Sequence, residues 1–294
     1  MTELLTGQVI AHLGQGIAVE TDGKISLCHP LRKLDTVAVG DQVTWSETGP
    51  DQGRIEAILP RRSVLLRPHR NNTTRPVASN IDTVYIVFAV EPLCDFLLID
   101  QYLAICEQYG IKAGLILNKT DLPIKPEIMV ELDLYQTLGY PLYQVSAIEQ
   151  RGLDALKAAL KNQVSILVGQ SGVGKSSLTN TLLPDKNIKS NTLSTAGKHG
   201  RHTTTAATLY HLPDGGDLID SPGVAIFGLA GLSAPQLAQG YREFQALIEN
   251  CRFINCSHVS DKGCAVRAAA EDGTIAANRY QRFLKLREKM SLKN

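Results

Sequence analysis

Gly169-Gln170-Ser171-Gly172-Val173-Gly174-Lys175-Ser176-Ser177 decides the fold class of this chain. The stretch fits G-x-x-x-x-G-K-[ST], follows the apolar run VSILV (164–168) and opens the helix-patterned SSLTNTLL (176–183). Strand, glycine-rich turn and helix in that order make a phosphate-binding loop. Its glycines let successive backbone N–H groups turn toward the phosphates, and the helix N-terminus adds partial positive charge. Lys175 is placed to reach the β- and γ-phosphates, as a binding and catalytic group, and Ser176 to ligate magnesium. The bland alternative is a glycine-rich turn with no ligand.

A phosphate loop specifies a nucleoside triphosphate but not its base. Upstream, Asn118-Lys119-Thr120-Asp121 closes the apolar strand AGLIL (113–117). The Asp121 carboxylate can accept two hydrogen bonds, from guanine N1–H and the 2-amino group, a pair of donors that adenine lacks. Asn118 addresses the other purine edge, and the Lys119 stem lies along the base plane. Ser146 and Ala147, closing the strand YQV, complete the base pocket through backbone N–H groups. Leaving such buried acceptors unpaired penalises the wrong base strongly.

Downstream, Asp220-Ser221-Pro222-Gly223 follows the strand DLI. Asp220 is expected to hold magnesium through water, and the Gly223 N–H to bond the γ-phosphate; a plain Pro-Gly turn is the alternative. Between this turn and the phosphate loop lies Gly200-Arg201-His202-Thr203-Thr204-Thr205, where a mobile switch would supply a threonine to magnesium: Thr204, with Thr203 next. In many GTPases a glutamine after the Asp-x-x-Gly element orients the attacking water. Val224 stands there and cannot, so His202 becomes the candidate catalytic group, its alternative being a solvent-exposed loop histidine.

Around these motifs, apolar strands alternate with helices from Asn80 onward, which implies a mostly parallel sheet with helices on both faces. The guanine-reading motif precedes the phosphate loop, the reverse of the usual GTPase order, so the GTPase domain is circularly permuted. Its binding loops can still share one sheet edge. The chain then leaves directly from the Asp220–Gly223 element, so GTP and GDP states are expected to present the C-terminal segment differently.

That segment holds Cys251-x4-Cys256-x-His258-x5-Cys264, four ligands that suit one structural zinc; a redox pair or buried thiols are alternatives. The other cysteines, Cys28, Cys94 and Cys106, read as small buried hydrophobes. Residues 241–294 carry ten Lys or Arg against six Asp or Glu, many on RYQRFLKLREKM (279–290). That helix suits RNA contact, or equally packing of Tyr280, Phe283 and Leu284 on the core.

Before Asn80, about five short strands with hairpin turns at Asp22-Gly23 and Gly40-Asp41 suggest an OB-type β-barrel, or else another small barrel. Arg54, Arg61, Arg62, Arg67, Arg70 and Arg75 face only Glu56 locally, and could hold phosphates or form a solvated linker. The chain thus reads as a multidomain α/β protein: an OB-fold RNA-binding domain at 1–72, a permuted P-loop GTPase domain at 73–230, and a helical zinc-binding domain at 231–294. Of its 294 residues, 44% are hydrophobic and 20% charged, as in folded chains. Net charge of +1 confines any nucleic-acid binding to local patches. No leader or membrane-length apolar run is visible, so a cytoplasmic monomer is expected.

Taken together, the permuted NKTD, SA, GQSGVGKSS, GRHTTT and DSPG elements, with CRFINCSHVSDKGC behind them, resemble the ribosome small subunit-dependent GTPase A family of bacteria over essentially the whole chain. The resemblance implies GTP hydrolysis stimulated by the small ribosomal subunit and its rRNA during late maturation, assisting or checking assembly-factor release. It also supports His202, since the family has the histidine before the threonines. Two other readings stay open: a P-loop kinase acting on a small metabolite, and an RNA-binding module whose nucleotide site is purely regulatory.

Overall fold

A computed structural model describes residues 3–68, 74–184, 207–221 and 232–291. The N-terminal strands β1 (Leu5–Leu13), β2 (Gly16–Thr21), β3 (Lys24–Pro30), β4 (Gln42–Gly49) and β5 (Gln52–Ile58) close into a barrel, ordered β1-β2-β3-β5-β4 with β4 returning to β1. Alternating inward residues give it a core of its own, from Val9, Val19, Cys28, Val43, Trp45 and Ile55. Asp22 and Gly23, at φ 51° and 76°, make the tight β2–β3 hairpin their residue types announce.

Gly40-Asp41 is not a hairpin turn. It ends the long β3–β4 connection, and Asp41 is fully buried there. Its carboxylate accepts from the Ala38 N–H at 2.7 Å, from Ser79 Oγ at 2.6 Å and from Arg61 at 2.7 Å. A Cβ on Gly40 would lie 2.3 Å from the Ser79 carbonyl, so only glycine allows this close approach to the next hairpin. That hairpin, β6 (Val64–Pro68) with β7 (Thr74–Ser79), is a separate two-stranded sheet, although the sequence runs straight into it from β5.

The remaining strands are β8 (Thr83–Ala89), β9 (Lys112–Asn118), β10 (Leu142–Gln144), β11 (Val164–Val168), β12 (Thr208–His211) and β13 (Asp217–Asp220), ordered β10-β9-β8-β11-β13-β12. All neighbours are parallel except β12. β8 is buried at every position, as a central strand covered on both faces must be. Helices α1 (Phe96–Gln108), α2 (Pro126–Thr137), α3 (Leu153–Leu160) and α4 (Lys175–Leu182) connect the strands. At Ala11 the barrel strand β1 pairs with Thr208 of β12, which joins barrel and parallel sheet along one edge.

Helices α5 (Ala234–Gln239), α6 (Arg242–Ile248), α7 (Ala265–Glu271) and α8 (Ala277–Ser291) form the C-terminal module. Its core of Leu237, Tyr241, Phe244, Val266, Phe283 and Leu286 takes in Ala104 of α1. No described helix is long and apolar enough to cross a membrane.

Candidate functional site

Strands β8, β9, β10, β11 and β13 all point their carboxyl ends to one edge, where an open α/β sheet binds ligands. The phosphate loop leaves β11 there. Gly169, Gly172 and Gly174 hold φ of 139°, 81° and 91°, and a Cβ on Gly169 would meet the Val87 carbonyl at 2.0 Å. Gly174 caps α4 from the left-handed region, at a helix end whose first N–H groups have no intrahelical partner. Val173 is buried beneath the loop; Ser171, Gly172, Ser176 and Ser177 are exposed, with Gln170 half-buried. The Lys175 ammonium donates to the Gly169 and Gln170 carbonyls at 2.8 and 2.6 Å, and burial lowers its pKa.

The guanine motif is built against this loop. Asn118, 2% exposed at the end of β9, donates from Nδ2 to the Val173 carbonyl at 2.9 Å and accepts the Ala147 N–H at 3.2 Å. Lys119 Nζ donates to the Gly172 carbonyl at 2.8 Å. Asp121 stays exposed, and Ser146 Oγ donates to its Oδ1 at 2.5 Å. That bond, with smaller help from Arg151 and Lys119, lowers the Asp121 pKa, so the acceptor is ionised at neutral pH. The Thr120 N–H bonds the Val145 carbonyl at 3.2 Å. Asp220 ends β13, the strand beside β11, and so lies at the same edge. His202, Thr203, Thr204, Gly223 and Val224 lie outside the described residues, as does Arg70.

The ligand atoms of Cys251, Cys256, His258 and Cys264 lie within 4.8 Å of one another. Sγ of Cys251 and Sγ of Cys264 each stand 3.6 Å from His258 Nδ1. Bonds of about 2.3 Å to sulfur and about 2.05 Å to nitrogen at tetrahedral angles put the two ligand atoms about 3.6 Å apart. The residues therefore fit one tetrahedral metal ion. Burial, then nearby Arg287, lowers the His258 pKa and keeps the ring neutral, the form that ligates. The Arg267 N–H donates to Cys264 Sγ at 3.3 Å, and the Tyr280 hydroxyl to the His258 carbonyl at 2.8 Å.

Several expected phosphate ligands are occupied elsewhere. Arg61 is paired with Asp41, Arg62 with Asp82 at 2.6 Å and Arg54 with Glu56 at 2.8 Å; Arg67 and Arg75 stand opposite each other, exposed, on β6 and β7. On the last helix, Tyr280 and Phe283 do pack on the core, and Arg279 and Arg282 are buried with them. Arg279 pairs with Asp100 at 2.5 Å and Glu243 at 2.7 Å, and Arg282 with Asp100 at 2.5 Å and Glu131 at 2.7 Å. Neither can reach RNA. Sequence reasoning missed this cluster because its acids lie on α1, α2 and α6, far away along the chain.

Comparison with known proteins gives a consistent result. The RsgA GTPase family model matches residues 58–230. The small ribosomal subunit biogenesis GTPase RsgA of Pseudomonas aeruginosa is 47% identical over 282 residues, covering 95% of this chain and 83% of its own. Its namesake in Chromohalobacter salexigens is 44% identical over 284 residues, covering 94% and 84%. The crystal structure of YjeQ from Thermotoga maritima superposes with a TM-score of 0.78 at 30% identity, covering 97% of both chains. That of YloQ, a circularly permuted GTPase, gives 0.77 at 24% identity over 99% and 96%, a likeness of fold alone.

Proposed function

The chain belongs to the RsgA GTPase family, and on that premise we propose that it hydrolyses GTP at the shared sheet edge in the service of small ribosomal subunit biogenesis. One observation carries this reading: Asn118 bonds both the phosphate loop at Val173 and the base loop at Ala147, so motifs in permuted order form one guanine-nucleotide pocket.

Within that pocket, Asp121 reads the N1–H and 2-amino donors of guanine, and the Lys119 stem lies along the base. The N–H groups from Gly169 to Ser177 wrap the phosphates. Lys175 moves from its loop carbonyls onto the β- and γ-phosphates, where its charge offsets the negative charge developing during transfer. Ser176 and Thr204 would hold magnesium, with Asp220 assisting, and the ion would offset negative charge on the phosphates. Gly223 holds the γ-phosphate and His202 orients the attacking water in place of a glutamine.

Cys251, Cys256, His258 and Cys264 hold a structural zinc, which cross-links the module beside its core of Tyr241, Phe244 and Phe283. We divide the chain at 1–72, 73–230 and 231–294, and assign rRNA contact to the barrel and to exposed basic positions such as Arg67, Arg75, Lys285 and Lys289. A cytoplasmic monomer fits this role.

GTP turnover with and without purified small subunits tests the reading, for wild type and for His202→Ala. Slow intrinsic hydrolysis, strongly accelerated by small subunits and lost in the variant with GTP binding intact, is the expected result. Equal stimulation by large subunits overturns the ribosomal part.

A further inference from the structure

Loop 145–152 carries an arginine that no motif accounts for. Arg151 follows Ser146-Ala147 by a few residues, outside any base-reading pattern, yet it ties together the two segments that shape the base pocket. Its backbone pairs with Ser146 in both directions: the Ser146 N–H donates to the Arg151 carbonyl at 3.0 Å, and the Arg151 N–H to the Ser146 carbonyl at 3.1 Å. Its guanidinium donates through Nη2 to the Thr120 carbonyl at 2.7 Å, and Nη1 meets Glu149 Oε2 at 3.0 Å. The side chain is 58% exposed, so burial does not hold it there; the acceptors do.

The two anchored segments need holding. Lys119 sits at φ 62°, Gln150 at 52° and Gly152 at 72°, conformations that non-glycine residues adopt rarely. A Cβ on Gly152 would lie 2.2 Å from the Gln144 carbonyl, so the loop re-enters α3 along one narrow path. Thr120, whose carbonyl Arg151 grips, lies between Lys119, which lines the base plane, and Asp121, which reads its edge. Ser146, whose backbone Arg151 pairs with, donates its hydroxyl to the same Asp121 carboxylate. One side chain and one backbone thus fix the Asp121 carboxylate from two directions.

We propose that Arg151 is a positioning residue for guanine recognition: by bonding the Thr120 carbonyl and bracketing Ser146, it preorganises Asp121 for the two-donor edge of guanine. It does not touch the base. Its contribution is to discrimination more than to phosphate binding, because the phosphate loop is assembled without it. The inference rests on the guanine-pocket reading above.

Binding of GDP, IDP and ADP by the full chain tests it; IDP keeps N1–H but lacks the 2-amino group. In Arg151→Ala, GDP affinity is expected to fall roughly ten-fold, the scale of one charge-assisted hydrogen bond, with a smaller fall for IDP, so that the GDP-to-IDP ratio narrows at least about three-fold. Arg151→Lys, which keeps a charged donor, restores most of the GDP affinity. Unchanged GDP binding in Arg151→Ala overturns the proposal, as does an equal loss for GDP and IDP, which marks a merely structural role. A wild type that binds ADP as tightly as GDP overturns the guanine reading itself, and Arg151 with it.

Discussion

Arg279→Met tests what fastens the C-terminal module to the GTPase sheet. Three carboxylates, Asp100, Glu131 and Glu243, surround two guanidiniums, Arg279 and Arg282, and their side chains are at most 11% exposed. Tyr135 adds a hydroxyl bond to Asp100 at 2.5 Å, and Arg279 lies over the Tyr241 ring at 4.3 Å. Burial alone would lower the Arg279 pKa, but Asp100 and Glu243 hold it well above its ordinary value. The cluster already has one negative charge in excess; methionine fills much of the volume but leaves three buried carboxylates facing one cation. Removing one member of a buried pair costs about 3–5 kcal/mol. At about 1.4 kcal/mol per ten-fold, local opening of α8 should rise roughly 10²- to 10⁴-fold. Hydrogen exchange of α1 and α8 amides is the assay, because the single tryptophan, Trp45, lies in the barrel and does not see this contact. Adding Glu243→Gln removes one uncompensated charge and should recover at least about 1 kcal/mol. Exchange within ten-fold of wild type, or a double variant no better than the single one, refutes the reasoning.

Asp121→Asn should weaken GDP binding on the order of 10²- to 10⁴-fold while improving that of xanthosine diphosphate; competition titration measures both, and unchanged preference counts against Asp121 as the base reader. One equivalent of zinc per chain is expected by elemental analysis, and chelation should speed hydrogen exchange across 251–291 while Trp45 fluorescence holds; retention of protected amides without metal removes the structural role. His211 bridges Asp217 on β13 and Glu20 on the barrel at 2.6 and 2.5 Å, bonds that raise its pKa to about 10. Because the folded value lies above the unfolded one, the stabilisation is fully present below about pH 6.5 and is lost as pH rises toward 10. The gap between wild type and His211→Gln in urea unfolding should therefore close over that window; a constant gap argues against the charged bridge.

Much of the fold was legible because each nucleotide loop packs its stereochemistry into a few consecutive residues. Gly169 and Gly174 occupy backbone states that glycine alone adopts easily, and Asn118 to Asp121 end a strand that could only be central. Tertiary partners were not legible. Gly40-Asp41 has turn composition, but its use depends on Ser79 and Arg61, met only after the chain has closed a barrel. Arg61, Arg62, Arg279 and Arg282 displayed charge without revealing what neutralises it, since Asp41, Asp82, Asp100 and Glu131 are remote in sequence or on another element. Local charge points to solvent or phosphate, whereas pairing with a remote acid decides all four, with burial added for Arg279 and Arg282 while Arg62 pairs with Asp82 at the surface. Arg151 was passed over for a related reason: its side chain acts on a backbone carbonyl, and any residue type can supply one.

The motif order makes the γ-phosphate sensor and the cysteine-rich module neighbours along the chain, so GTP and GDP states are expected to present the module differently. The docking contacts restrict that idea. α5 presses on α1 so closely that a Cβ on Gly240 would lie 2.6 Å from the Ala104 carbonyl, and the Asp100 cluster adds α2 and α8. α1 begins after the loop whose Pro92 lies beside Gly172 of the phosphate loop, and α2 begins after the guanine motif. The module therefore rests on helices rooted at the nucleotide edge. While the ion cluster stays closed, the module can move relative to the sheet only by carrying α1 and α2 with it. A large independent swing requires opening buried charges at a cost of several kcal/mol, comparable to what a ligand needs to invert a two-state equilibrium.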